Sequence, residues 1–335
     1  MAPCSMLQPL IDNQLPLKED SQNSHRRYFN IAGITIIVES DLPVTDTTFQ
    51  DKFALFRADE LGNDQVYIHH HFFIPDINKI DLGQELFHQL PWAIYRQNTP
   101  SESYIYLGIS HEPDDPSLHR VAIFTKDHTS SHIYNNHAYE NAWRNGGFHS
   151  LTMFPSDQLL IARLLADRQG CYIHSAGVII NGAGVLFVGH SEAGKSTTTN
   201  FLIDAASKRD MQLEILCDDR NIVRFINDKW MVYGTWSHGD VPLVSPAGAP
   251  LQVICFIEQS EENAITHITD RKDIMRRLLA CVIRPFITAD WWIKTLDLLE
   301  PMSQQIPCYL MRFDKSGAIV DEIETLIATQ ATQSV

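Results

Sequence analysis

The sequence predicts an α/β domain organised around a glycine-rich phosphate loop, preceded by a separate, mainly β region. Three observations predict it. Residues 184–200, "GVLFVGHSEAGKSTTTN", pass from an apolar strand-like burst through G-x-x-x-x-G-K-S into a helix-compatible segment. Beyond residue 151 strand-like and helix-like periods alternate, as in α/β domains. Before it, short β-branched and aromatic runs succeed one another with turn-rich pieces between them.

Composition sets the outer bounds. The chain has 335 residues, 44% hydrophobic and 20% charged, and is long enough to bury a sizeable core in one or two domains. Its net charge of -15 argues against nucleic acid as a main partner, since phosphate backbones select Lys/Arg-rich surfaces. The six cysteines (Cys4, Cys171, Cys217, Cys255, Cys281, Cys308) form no C-x-x-C pair and read as reduced thiols of a cytoplasmic protein. The N-terminal "MAPCSMLQPLIDNQ" lacks a basic n-region and an apolar h-region, and the longest apolar runs are strand-length. A soluble chain without signal peptide or membrane span is therefore expected.

Residues 1–26 are polar, without sustained period, and read as a flexible arm. In the mainly β domain expected over 27–150, "YFNIAGITIIVES", "KFALFRA", "QVYIHHHFFI", "SYIYLGIS" and "RVAIFTK" read as strands. "NAWRNGGFHS" breaks the pattern. The α/β domain, 151–335, opens with "PSDQLLIARLLADRQG", a helix with Ser156 or Asp157 as cap and Gly170 as its close. "YIHSAGVII" and "AGVLFVG" flank Asn181-Gly182, whose tolerance of positive φ suits a tight hairpin. Strands are expected at "LEILCDD", "NIVRFI", "KWMVYG", "PLQVICFIEQ" and "CYLMRF". Helices are expected after the loop and at "DRKDIMRRLLACVI", "DWWIKTLDLLE" and "GAIVDEIETLIA".

The loop's chemistry follows from its residue types. Gly189, His190, Ser191, Glu192, Ala193, Gly194, Lys195 and Ser196 match the phosphate-loop pattern at every fixed position, with Thr197 next on the helix. Glycines let successive backbone N–H groups converge on an anion, and the helix N-terminus adds a positive dipole end. Lys195 is then placed for the outer phosphates and the Ser196 hydroxyl for Mg²⁺. Glu192, a carboxylate within the loop, is expected to face solvent or metal. Asp218-Asp219 ends an apolar strand. A single metal-binding aspartate at a strand end is one reading of it; a pair in which one carboxylate holds metal while the other takes a hydroxyl proton is the other. No N-K-x-D base-reading motif follows the phosphate loop, which argues against a GTPase switch; the match at Asn78-Lys79-Ile80-Asp81 precedes the loop, in the β region.

"IHSAGVIINGAGVLFVGHSEAGKS" followed by "LCDD" resembles the catalytic domain of HPr kinase/phosphorylase and its relatives, which share a fold with phosphoenolpyruvate carboxykinase. The likeness covers roughly residues 155–325 and rests on the phosphate loop, the aspartate pair and His174 before the hairpin. It implies ATP and Mg²⁺ as cofactors, Lys195 and Ser196 on phosphates and metal, Asp219 as general base, Asp218 beside it at the metal, and His174 near both. The family's L-E-I-R-G-L-G-like segment is missing; "GTWSHGDVPL" stands in its region, making His238 and Asp240 candidates for lining the site. The N-terminal region does not resemble that of bacterial HPr kinases. The expected activity is ATP-dependent phosphorylation of a hydroxyl on a peptide, protein or small molecule. A nucleotide-binding regulatory or scaffold protein is the alternative, a carboxykinase-type enzyme a third reading, and a homo-oligomer stays open.

Elsewhere, "HHHFF" invites a zinc reading. Only His69 and His71 share a strand face, and no third ligand lies at usual sequence spacing, so a solvated strand is expected. Arg276, Arg277 and Arg284 read as surface charge unless one reaches a phosphoryl group, and "DWW" (290–292) as core or interface.

Overall fold

A computed structural model describes residues 25–98, 101–110, 117–152, 157–285 and 288–333. The chain divides into two compact units between Leu160 and Ile161. The arm expected over 1–26, with Cys4, lies outside the described residues as far as residue 24.

The first unit is an eight-stranded sheet in the order β1-β2-β3-β8-β7-β6-β5-β4. Its strands are β1 (Arg26–Ile31), β2 (Ile34–Ser40), β3 (Gln65–His71), β4 (Gln84–Gln89), β5 (Trp92–Gln97), β6 (Ser103–Ile109), β7 (Leu118–Thr125) and β8 (Ser130–Asn135). β3 is parallel to both β2 and β8, and the remaining pairs are antiparallel. "KFALFRA" is not a strand but a 3-10 helix, Asp51–Phe56. Phe53 and Phe56, three apart, are both buried, a spacing that suits one side of a three-residue turn better than a pleat. Phe53 packs against Phe29 and Phe49, and Phe49 against Trp143. β4, β5 and β8 were not expected; polar residues flank the short apolar stretch in β4 and β8, and that of β5 is only four residues long.

In β3 the period of two governs the three histidines. His70 is fully buried and donates from Nε2 to Leu151 O (2.8 Å); burial pushes its pKa down to about 3. His69 and His71 project from the other face, where His132 of β8 is the register partner of His69. The solvated strand expected here is a histidine cluster: one ring nitrogen from each of His69, His71 and His132 lies within 4.8 Å of the others.

Ser156, one expected cap, lies outside the described residues. Asp157, the other, turns away from the helix it precedes and accepts from Leu151 N (2.7 Å) and Thr152 N (2.8 Å). That helix, Gln158–Ala166, is not closed by Gly170, which is the first residue of β9; the left-handed turn falls on Gln169.

The second unit is built on two long strands, β9 (Gly170–Ile180) and β14 (Gly248–Gln259). Between them run β10 (Ala183–Val188), β11 (Leu213–Cys217), β12 (Arg220–Ile226) and β13 (Lys229–Tyr233); β15 (Ala264–His267) and β16 (Cys308–Phe313) follow. The first half of β9 pairs with β12, and its second half lies between β10 and β11. β14 pairs with β13 at its start, then with β10 and β16, both parallel to it. Asn181 and Gly182 take positive φ at the β9–β10 turn, as their sequence implies. Helices Lys195–Ala206 and Ile319–Gln333 contribute to one apolar cluster with Phe187, Val253 and Phe313. Helices Arg271–Cys281 and Ala289–Gln305 contribute to the other, with Leu186, Ile254 and Val223. Cys171, Cys217, Cys255, Cys281 and Cys308 are free, buried thiols. No helix among the described residues is long and apolar enough to cross a membrane.

Gly177 of β9 lies directly against the Asn221 side chain of β12. A Cβ there would lie 2.4 Å from Asn221 Oδ1. Asn221 Nδ2 donates to Ser175 O (2.7 Å) and Cys217 O (3.0 Å), tying the start of β12 to the middle of β9 and the end of β11. We expect Gly177→Ala to push Asn221 off these carbonyls and destabilise the chain by about 1–3 kcal/mol, the range for overpacking, measured as a lower urea midpoint with unchanged slope.

Candidate phosphate-binding site

The loop's shape is dictated by what surrounds it. β10 ends at Val188 and helix Lys195–Ala206 begins seven residues later. Gly194 sits at φ 108, and a Cβ on it would lie 2.5 Å from the Phe313 ring, so no side chain fits at this turn. Glu192 also takes positive φ, 67°, and is exposed. Gln259 Nε2, at the end of β14, donates to Glu192 O (2.7 Å). Lys195 is 7% exposed, and its ammonium donates to Gly189 O (3.1 Å) and His190 O (2.9 Å). Desolvation lowers the Lys195 pKa, opposed by the charges of Asp219 and Asp218.

The aspartate pair splits between two sets of partners. Asp218 is 1% exposed. It accepts from Gly239 N (2.6 Å) through Oδ1, and from Val241 N (2.9 Å) and the Ser196 hydroxyl (3.0 Å) through Oδ2. Asp219 faces β9 and β12. Its Oδ1 lies 2.9 Å from His174 Nε2, and its Oδ2 accepts from Arg220, whose guanidinium also donates to Ser237 Oγ (2.9 Å). Burial alone would raise the Asp219 pKa. The His174 hydrogen bond and the charges of Arg220, His174 and Lys195 outweigh it and hold this carboxyl below the usual range.

These groups line one cleft of about 350 Å³, formed by His174, Ser191, Glu192, Gly194, Lys195, Ser196, Thr197, Asp218, Asp219, Gly239, Asp240 and Gln259. The structure thus brings together every expected catalytic and metal residue: Lys195, Ser196, Asp218, Asp219 and His174. Of the expected loop residues, Gly189, His190 and Ala193 do not line it. Gly189 and His190 act through their carbonyls, and Ala193 packs on the apolar cluster beneath. Asp240 lines the cleft; His238 does not, and bonds from Nδ1 to Gly239 O (2.9 Å). Arg276 and Arg277 pair with Asp273, and Arg284 stacks over Trp292, so these arginines are engaged elsewhere. Trp291 is core, as expected of "DWW". Arg220 and Gln259 were not anticipated; only the adjacency of Arg220 to the aspartate pair could have pointed to it.

No family model matches the chain, and no curated protein matches it. Among solved structures, a similar one is described as the Hpr(Ser) kinase/phosphatase from Coxiella burnetii. It is 15% identical with a TM-score of 0.28, covering 49% of this chain and 97% of that one. The relationship is a distant structural one.

The donor set suits a hard divalent cation. Ser196 and Asp218, 3.0 Å apart, present oxygens only, the ligands Mg²⁺ takes, and among the described residues no cysteine lines the cleft. Four carboxylates against Lys195 and His174 also leave the cleft acidic, so a bare polyphosphate would be repelled and a cation-bound one favoured.

Because Asp219's partners favour its charged form only in the folded chain, they stabilise the fold above the ordinary carboxylate pKa of about 4. That contribution is lost as pH falls through the lower folded value. Unfolding midpoints of the native chain and Asp219→Asn, measured from neutral pH downwards, should therefore differ at pH 6 and converge in acid. A difference that stays constant with pH would count against charge pairing.

Proposed function

We propose that this protein is an ATP-dependent phosphotransferase, a kinase that uses Mg²⁺ and phosphorylates a hydroxyl on a peptide, protein or small molecule. The observation that carries the reading is the division between two adjacent carboxylates, Asp218 bonded to the Ser196 hydroxyl and Asp219 bonded to His174. In phosphate-loop enzymes the loop Ser/Thr and a strand-end aspartate hold the metal, while a second group manages the acceptor's proton.

The roles follow from position. The N–H groups of the loop and the first helical turn hold phosphate oxygens, and Lys195 exchanges its two carbonyl partners for them. Ser196 and Asp218 are the metal-side residues, and Mg²⁺ supplies neutralisation of phosphate charge there. Asp219 is the general base. Each of its oxygens keeps a lone pair beyond the bonds from His174 and Arg220, and the acceptor hydroxyl donates to one of these. Its depressed pKa makes Asp219 a weak base at rest, so proton transfer follows the development of charge on the attacking oxygen. His174 orients the carboxylate and, once Asp219 takes the proton, shares the change in charge.

That same depression favours a second reading, a nucleotide-binding regulatory protein in which Asp219 serves only the ion pair. One experiment separates the two. With γ-labelled ATP, Mg²⁺ and a panel of hydroxyl-bearing peptides and small molecules, the native chain should move label from ATP to an acceptor. Asp219→Asn should bind Mg-ATP at near-native affinity and lose transfer by about a hundredfold or more, the scale of removing a general base. Loss of binding and transfer together would make Asp219 a metal ligand; normal turnover would remove it from the chemistry.

We also propose that residues 151–335 form the catalytic domain and 27–150 a separate domain. A 151–335 fragment should be soluble and show an ATP-dependent rise in thermal midpoint. Aggregation without such a shift would refute the division.

A further inference from the structure

The histidines of the first unit carry an inference independent of the phosphate loop. His69 and His71 stand on one face of β3, and His132 stands beside them on β8. The three rings lie nearly parallel: His69 on His71 with centroids 4.3 Å apart and 9° between planes, His71 on His132 at 5.3 Å and 12°. His71 Nε2 is 3.0 Å from His132 Nδ1. One strand offers two imidazoles at i and i+2 and its neighbour a third; ring lone pairs lie in the ring planes, so the stacked rings meet on one ion by turning about their side-chain bonds.

Asp41, just beyond the end of β2, holds the first two rings from behind. Its Oδ1 is 2.9 Å from His69 Nε2, and its Oδ2 is 2.9 Å from His71 Nδ1. A carboxylate accepts, so both contacted nitrogens carry hydrogen, and the unprotonated nitrogens of the neutral rings are His69 Nδ1 and His71 Nε2. His69 Nδ1 lies 3.0 Å from Tyr67 Oη, which also contacts Glu39; the phenol has one hydrogen for these two acceptors, and an ion on Nδ1 takes the phenol's place there. Tautomers set by a carboxylate behind the ring are the usual support of a histidine that binds metal. The side chains of His69 and His71 are 23% and 14% exposed, which leaves an entry path from solvent.

We propose that His69, His71 and His132 bind one divalent transition-metal ion of the zinc class, with Asp41 positioning two of the three ligands. The all-nitrogen set selects zinc-like ions over Mg²⁺ or Ca²⁺, which require oxygen. Three ligands leave a fourth tetrahedral position for water or a small ligand. The ion lies in the first unit and is distinct from the Mg²⁺ invoked at the phosphate loop.

The test is a Zn²⁺ titration of the chelator-stripped full-length chain in competition with a chromophoric chelator, with thermal unfolding measured with and without Zn²⁺. The native chain should take up one equivalent at micromolar Zn²⁺ or below, and its unfolding midpoint should rise with added metal. His69→Gln and His132→Gln should keep the metal-free midpoint and lose both effects. Asp41→Asn should weaken binding by about tenfold to a hundredfold, the scale for losing such a supporting carboxylate. Asp218→Asn should leave zinc binding untouched. Failure to take up an equivalent, native-like uptake by His132→Gln, or loss of uptake in Asp218→Asn would each overturn the proposal.

Discussion

A buried carboxylate has to be surrounded by donors, and in the second unit that requirement falls on Asp218. At 1% exposure, an ionised group without partners would cost several kcal/mol. Asp218 draws its donors from two separate segments, the Ser196 hydroxyl on the helix after the loop and the N–H groups of Gly239 and Val241. Meeting its needs therefore brings the strand end, the helix and the 239–241 segment to one point. The cleft is what lies beside that point. Asp219 next to it turns to the opposite partners, and Ser175 N bonding to Asp219 O locks the pair against β9.

The two long strands make this convergence durable. β9 delivers His174 at the place where its pairing changes from β12 to β10 and β11, and Asn221 bridges the gap that the change opens. β14 passes under the loop and ends in Gln259, which holds the Glu192 carbonyl. The connections that carry Asp218, Asp219 and the loop are short and tied by hydrogen bonds to these strands, so the site residues keep their geometry through packing.

Much of this site was legible in the sequence because its parts are local. The loop motif, the aspartate pair at a strand end and His174 ahead of a hairpin each occupy one short stretch. What was illegible acts through backbone or through distance. Gly239 and Val241 contribute N–H groups that any residue possesses. Gln259 is an ordinary strand-end amide until folding sets it beneath Glu192. The first unit was read less well. "KFALFRA" has strand-like composition, yet the burial of Phe53 and Phe56 follows a period of three. "SSHIYN" begins too polar to announce β8, so His132 went unconnected with His69 and His71, although the sheet makes it the cross-strand partner of His69. Cross-strand neighbours 63 residues apart leave no spacing signal in a single sequence.

The glycine loop is held in place by the chain itself. Gly194 is held in its turn by Phe313, Glu192 is anchored by Gln259, and Lys195 is tied to two loop carbonyls. The entropy of ordering this segment is thus charged to folding and not to binding. On the proposed function, a cation-bound phosphate would take the place of the Gly189 and His190 carbonyls on Lys195. Its association should then be governed by encounter with an acidic cleft, and so by ionic strength, more than by any slow rearrangement of the loop.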